Sequence, residues 1–202
     1  MTGTVDRVVL ATSNRGKLAD FQHLFADTGI ELVAADEAGV DVDVEETGVT
    51  FEANALIKAR HAAEATRLPV LADDSGLAVN ALDGAPGVWS ARYAGPACDD
   101  DANNEKLLAA LEGVADRAAA FVCVLALILP GGEEILTDGR CEGEIADSVR
   151  GVNGFGYDSL FFRSDLGQTF GEATVAEKNA RSHRAAAVRS LIGELRRRGL
   201  TP

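Results

Sequence analysis

The sequence predicts an α/β fold on a mixed sheet, and three observations carry that prediction. Short strand-like apolar runs alternate with segments whose apolar residues recur at helical spacing. One run, Ala118 to Leu129, is apolar almost throughout, the pattern of a strand covered on both faces. Gly131-Gly132 follows at once with Ile135 to Ile145 beyond, which predicts a hairpin and so an antiparallel pair among strands otherwise joined through helices. With 202 residues and 47% hydrophobic content the chain can bury a core as one domain, at most one domain with two lobes. No repeat, long linker or low-complexity stretch divides it.

In order, Val8 to Thr12 reads as a short buried strand and Ser13-Asn14-Arg15-Gly16 as a loop. An amphipathic helix comes next, with Leu18, Phe21, Leu24 and Phe25 at helical spacing and Gly29 at its close. Ile30 to Ala34 is a second strand. Phe51 to Thr66 is a second helix ahead of Pro69, and its Asn54, Lys58 and His61 share one polar stripe at i, i+4 and i+7. Pro69 to Ala72 is a strand entering Asp73-Asp74-Ser75-Gly76, where Ser-Gly is expected to turn the chain sharply, and Leu77 to Leu82 continues as another strand. Asp99 to Leu111 fits a helix with an acidic first turn. The last helical stretch opens on a capping box, Thr174 to Glu177, and ends on Arg196-Arg197-Arg198 before Gly199, cations at the negative end of the dipole. Lys178 and His183 are five residues apart, about 140° round a straight helix, too far to face one ligand side by side. A break near Ser182, acting as a fresh N-cap, is therefore expected.

Charge and composition narrow the function classes. A formal charge of -13 repels polyanions, so nucleic acid polymers are not expected partners, and an anionic small molecule would need a cationic pocket of its own. No apolar run is long enough to cross a bilayer and no signal peptide is legible after Met1, so no membrane association and a cytoplasmic location are expected. Cys98, Cys123 and Cys141 are odd in number and lack metal-ligand spacing, which suits three structural thiols in a reducing compartment. Lysine is scarce: only four of the nineteen Lys and Arg residues are Lys. Three of them, Lys17, Lys58 and Lys178, fall in segments that carry other candidate residues, which suggests one phosphate site, against the plainer reading of a solvated surface.

The loops carry the candidate chemistry. Thr12-Ser13-Asn14-Arg15-Gly16-Lys17 offers hydroxyl, amide, backbone N–H and ammonium donors between a strand and a helix, the layout that receives an anion, though it is not a Walker loop. Asp73-Asp74 at a buried strand end is costly unless paired, hydrogen-bonded or bound to metal, and hard oxygen ligands imply Mg²⁺. Glu45 or Glu46 could complete such a site, or both could be solvated. Three glycines around two aromatics in Gly151 to Asp158 let backbone approach a flat ligand while a ring stacks on it; a tight turn with Phe155 and Tyr157 in the core is the alternative.

Five ordered segments resemble one family: ATSNRGK, EETGVTFEANALIKA, LADDSGLAV with GAPGVWSARYAG, GFGYDSLFF, and EKNARSHRAAA. From about Val8 to about Leu195 the chain is similar to the inosine triphosphate pyrophosphatases, which include bacterial dITP/XTP pyrophosphatases. The resemblance implies an elongated mixed β-sheet with flanking helices and two lobes around a nucleotide-binding cleft. It also implies a Mg²⁺-dependent homodimer that hydrolyses ITP, dITP and XTP to monophosphate and pyrophosphate. Carried over by motif, Thr12, Ser13, Asn14, Arg15, Gly16, Lys17 and Lys58 hold triphosphate. Asp74 is general base or metal-linked carboxylate, Ser75 binds substrate, and Glu46 or Glu45 is the other metal ligand. Phe155, Gly156, Tyr157 and Asp158 line the nucleoside pocket, with Phe155 on the base, while Lys178, His183 and Arg184 close over base and phosphates. Ser159 stands where the family usually has Pro, which leaves that turn less rigid. Two rival classes are a phosphatase with an aspartyl nucleophile, which lacks the expected Asp-x-Asp near the first strand, and a nucleotide-binding module without turnover.

Overall fold

The computed structural model describes residues 4–201. The sequence predicts a single domain over 1–202; Met1 to Gly3 and Pro202 lie outside the described residues, and so does the start of the chain on which the expectation of no signal peptide rests. The elements are β1 (Arg7–Leu10), α1 (Arg15–Phe25), β2 (Glu31–Ala34), α2 (Phe51–Ala63), β3 (Val70–Val79), α3 (Asp100–Ala110), β4 (Ala118–Ile128), β5 (Glu134–Ile145), β6 (Phe161–Arg163), β7 (Gln168–Thr169), α4 (Val175–Arg181) and α5 (His183–Arg197). Seven strands form one sheet in the order β2-β1-β3-β4-β5-β6-β7. β1 runs parallel to β2 and β3, whereas β6 is antiparallel to β5 and β7, so the sheet is mixed. The apolar run becomes the middle strand β4, and Gly131 and Gly132, both at positive φ, make the turn into β5, where the Leu129 N–H donates to the Glu133 carbonyl at 2.9 Å.

The chain forms two compact units: residues 1–74, 123–139 and 184–202, and residues 75–122 and 140–183. In the first, alternation along the strands separates two helical layers. Val8, Leu10, Leu71, Leu125 and Leu127 pack with Phe21 and Phe25 of α1 and with Val188, Leu191 and Leu195 of α5. Val9, Ala11, Val70, Ala72, Val124 and Ala126 pack with Ala55, Ala59 and Ala62 of α2, whose small side chains let that helix lie close. In the second unit Leu107 and Leu111 of α3 join Leu77, Val79, Phe121, Ile145, Leu160, Phe161 and Phe170 in a separate core.

Four expectations need correction or refinement. The Asp73-Asp74-Ser75-Gly76 segment makes no turn: β3 is unbroken from Val70 to Val79, and Gly76 does not take a positive φ. The carboxylates are tolerated inside the strand because each finds a cation, Lys17 for Asp73 and Lys58 for Asp74. α2 stops at Ala63, ahead of the expected Thr66, and α1 begins at Arg15, so Arg15 and Gly16 are already helical. Cys123 and Cys141 are buried thiols, but Cys98 is exposed in a loop at φ 52, its thiol donating to the Pro96 carbonyl at 3.7 Å. The final helix does break as expected: α4 ends at Arg181, Ser182 is extended at φ -68 and ψ 158, and α5 starts at His183.

Candidate active site

Two neighbouring carboxylates organise the first unit. Because β3 continues through them, Asp73 and Asp74 point to opposite faces of the sheet. Asp73, 1% exposed, meets Lys17 Nζ of α1 at 2.8 Å. Asp74, 5% exposed, meets α2: Asn54 Nδ2 donates to its Oδ2 at 3.1 Å and Lys58 Nζ lies 3.4 Å from its Oδ1. Asn54 and Lys58 reach it together because four residues separate them on one helix. Lys58 also donates to Glu46 at 3.1 Å, and the Asn54 Oδ1 accepts the Gly48 N–H at 2.8 Å, which ties the acidic loop to the helix. Gly48 is required there, since a Cβ would stand 2.5 Å from Asn54 Oδ1. Glu45 is exposed, so of the two candidate glutamates Glu46 is the one turned to this group.

The two aspartates have opposite acidities. Burial works against ionisation of Asp73, but Lys17, Lys58 and Arg184 outweigh it and hold the carboxyl at about 2. For Asp74 burial wins: its pKa is raised, with Glu46 adding to the rise, although Lys58, Lys17 and the Asn54 hydrogen bond oppose it. The Lys58 ammonium is raised in turn, its burial outweighed by Asp73, Asp74 and Glu46.

The Thr12 to Lys17 segment sits at the start of α1. Asn14 is the N-cap and accepts the Lys17 N–H at 3.0 Å, while Thr12 Oγ1 accepts the Asn14 N–H at 3.2 Å. Ser13, Asn14 and Arg15 are exposed, and the first turn presents its unpaired N–H groups and positive dipole end there. Arg184, 5% exposed, pairs with Asp20 of α1 at 3.0 Å and acts on Asp73 from within the same unit.

The other candidates belong to the second unit. Asp158 Oδ2 accepts the Phe155 N–H at 3.0 Å and takes Lys178 Nζ at 2.6 Å, and that ammonium lies 5.0 Å from the Phe155 ring centroid. Lys178 is thus buried with Asp158. Phe155 is half-buried. Tyr157, expected to line the pocket, is buried at 4% with its hydroxyl donating to the Ser90 carbonyl at 2.8 Å, so it anchors the loop from beneath. His183 is 2% exposed and stacks on Phe121 at 4.8 Å. Ser75 is half-buried in β3, and Ser159, in place of Pro, uses its carbonyl to accept the Arg150 N–H at 2.8 Å. Gly156 is held by α3, its N–H on Asp100 Oδ2 at 2.7 Å and its carbonyl on Asn104 Nδ2 at 3.0 Å. Sequence reasoning does not reach Asp20, Asp100 and Asn104, and it places Asn54 on a polar stripe without a role; the i, i+4 pairs Asn54/Lys58 and Asp100/Asn104 are the available signal.

The donor set fits a hard divalent cation. Asp74 Oδ1 and Glu46 Oε1 converge on one ammonium, Lys58 Nζ, so two carboxylates already share one cation. Among the described residues there is no group of three or more His, Cys, Asp or Glu able to hold a metal.

The chain is similar to known proteins over most of its length. The sequence model of the Ham1 family matches residues 8–194. A dITP/XTP pyrophosphatase of Pectobacterium atrosepticum is 49% identical over 196 residues, covering 95% of this chain and 99% of that protein. The solved structure of a HAM1 protein from Coxiella burnetii is 47% identical, with a TM-score of 0.85 over 95% of this chain and 98% of its own. That of a nucleoside-triphosphatase / dITP/XTP pyrophosphatase from Mycobacterium abscessus is 45% identical, with a TM-score of 0.74 over 92% of this chain and 98% of its own.

Proposed function

The chain belongs to the Ham1 family, and on that premise we propose that it is a nucleoside-triphosphate pyrophosphatase, a hydrolase that converts ITP, dITP and XTP to the monophosphate and pyrophosphate. The observation that carries the reading is Asp74: a buried carboxylate of raised pKa, aimed by Asn54, with Lys58 and Glu46 beside it. A triphosphate of about four negative charges resists an incoming nucleophile, so its charge must be neutralised before water can attack phosphorus.

In this reading Lys17, Lys58 and the loop donors of Thr12, Ser13, Asn14, Arg15 and Gly16 take the triphosphate. Asp74 and Glu46 would hold Mg²⁺, which when bound screens the phosphates and acidifies a water. Asp74, aimed by Asn54, receives the proton released by the attacking water at the α-phosphorus. Phe155 stacks on the base, Lys178 and Asp158 shape that pocket, and Ser75, His183 and Arg184 complete the substrate contacts. Donors there meet the six-carbonyl of hypoxanthine and xanthine, whereas adenine would bring its own N–H against them, a mismatch worth up to about 10⁴-fold. We further propose a homodimer acting in the cytoplasm, with no polymer or membrane partner; among the described residues no helix is long and apolar enough to cross a membrane.

The test is product analysis with ITP and Mg²⁺. Pyrophosphate release supports the reading, orthophosphate release would point to a phosphatase, and binding without release to a sensing module.

A further inference from the structure

Gly156 is the most deformable point of the 155–158 loop, and α3 grips it on both sides. Its φ of +61 lies in the region that L side chains avoid, yet nothing stands within 4 Å of where a Cβ would be, so neighbouring side chains do not wedge it in place. What holds it is polar. The peptide before it donates to Asp100 and the peptide after it accepts from Asn104, residues one helical turn apart on one face of α3. The flanks are tied independently: Phe155 N–H to Asp158, and Tyr157 hydroxyl to Ser90, whose Oγ accepts the Leu77 N–H at 2.8 Å. With both ends fixed, the setting of the Gly156 peptides decides where the Phe155 ring and the loop's N–H groups stand.

We propose that Asp100 and Asn104 are positioning residues for base recognition, acting through Gly156 without touching substrate; this rests on the assignment of the 155–158 loop to the base. The two ties are chemically distinct. Asp100 only accepts, so Asp100→Asn can keep its bond through Oδ1, whereas Asn104→Asp sets a carboxylate against the Gly156 carbonyl. Asp100 is exposed and Asn104 is 5% exposed, so the first can be changed with little risk to the fold.

The experiment is calorimetric titration with inosine monophosphate and, separately, pyrophosphate, joined to kinetics on ITP and ATP, for the wild type and Asn104→Asp, Asp100→Ala and Asp100→Asn. In Asn104→Asp and Asp100→Ala the Kd for inosine monophosphate and the KM for ITP should rise about tenfold, the scale of one hydrogen bond. The pyrophosphate Kd should stay within about twofold. The preference for ITP over ATP should shrink, and Asp100→Asn should recover most of the wild-type behaviour. Variants that bind inosine monophosphate as the wild type does overturn the proposal, as does an equal loss for monophosphate and pyrophosphate, the mark of a general structural role. If Asn104→Asp does not fold, Asp100→Ala against Asp100→Asn decides. A wild type that binds pyrophosphate but not inosine monophosphate overturns the assignment of the loop and the clamp with it; a wild type that binds both, with unaffected variants, overturns the clamp alone.

Discussion

Asp73 and Asp74 are chemically identical neighbours on one strand, and the two faces of β3 make them into different groups. On the face covered by α1 and α5, Asp73 is enclosed with Lys17 and reached by the field of Arg184, and its proton is gone down to about pH 2. On the face covered by α2, Asp74 shares Lys58 with Glu46 and keeps a raised pKa. One carboxylate is settled in its charged state; the other is held where burial still opposes it. Carboxylates of opposite acidity are thus separated by a single peptide bond, because a strand sends alternate side chains to opposite sides.

The largest test of that contrast is Asp74→Asn. Turnover should fall roughly 10²- to 10⁴-fold with substrate binding retained, in line with the loss of a general base. Its thermal stability at neutral pH should equal or exceed that of the wild type, since a raised carboxyl pKa means that the ionised form costs stability as pH rises past its ordinary value. Pyrophosphate release and a melting curve on the same sample check both halves. Near-normal turnover would make Asp74 structural.

Asp73→Asn should do the opposite. It strands the Lys17 ammonium in a nearly closed setting and should cost about 3 kcal/mol of unfolding free energy, read from urea titration. A variant as stable as the wild type would erase the distinction between the two faces.

Acidification sharpens the same point. Asp73 has a folded value of about 2 against an ordinary 3.8, so its contribution is complete above 3.8 and is lost as pH falls towards 2. The wild type should lose about 2 kcal/mol more than Asp73→Asn across that window, the free energy of such a shift. Parallel urea midpoints for the two proteins would count against the ion pair.

Smallest are the lysines. Lys58→Ala should lower kcat/KM about tenfold or more by weakening binding and transition state together. Lys106→Ala should leave it unchanged and shift stability by less than about 0.5 kcal/mol, because Lys106 is exposed and its ammonium only donates to the Tyr93 carbonyl at 2.5 Å and covers the Tyr93 ring at 4.4 Å. Equal losses at Lys106 would empty the scarcity of lysine of meaning.

Much of this is legible in the sequence where one physical rule dominates. The uninterrupted apolar run of β4, the diglycine turn, the capping box at Thr174 and the helix break at Ser182 each come from local chemistry. Ser-Gly after Asp73-Asp74 misleads because turn propensity is a weak force beside the sheet hydrogen bonds and cations that keep β3 straight. β6 and β7, three and two residues long, carry too little pattern to announce themselves. The pairing of Arg184 with Asp20 and the grip of Asp100 and Asn104 on Gly156 join residues far apart in the chain; the Asp100/Asn104 spacing marks one helix face but does not name its partner.

The first unit's core is assembled from segments far apart in order of synthesis: Val8 and Leu10 of β1 share one cluster with Val188, Leu191 and Leu195 of α5. A ribosome therefore releases β1 and β3 long before it makes the helix that covers them. During synthesis Leu10, Leu71 and Leu125 have only Phe21 and Phe25 of α1 to cover them, and the nascent chain cannot close this core until α5 has left the exit tunnel. The carboxylate pair is likewise incomplete until then, because Arg184, one of the cations that keep Asp73 ionised, arrives with that same helix. Maturation of the site is thereby tied to the emergence of α5, and a chain cut short before it would present an apolar sheet face to chaperones and proteases.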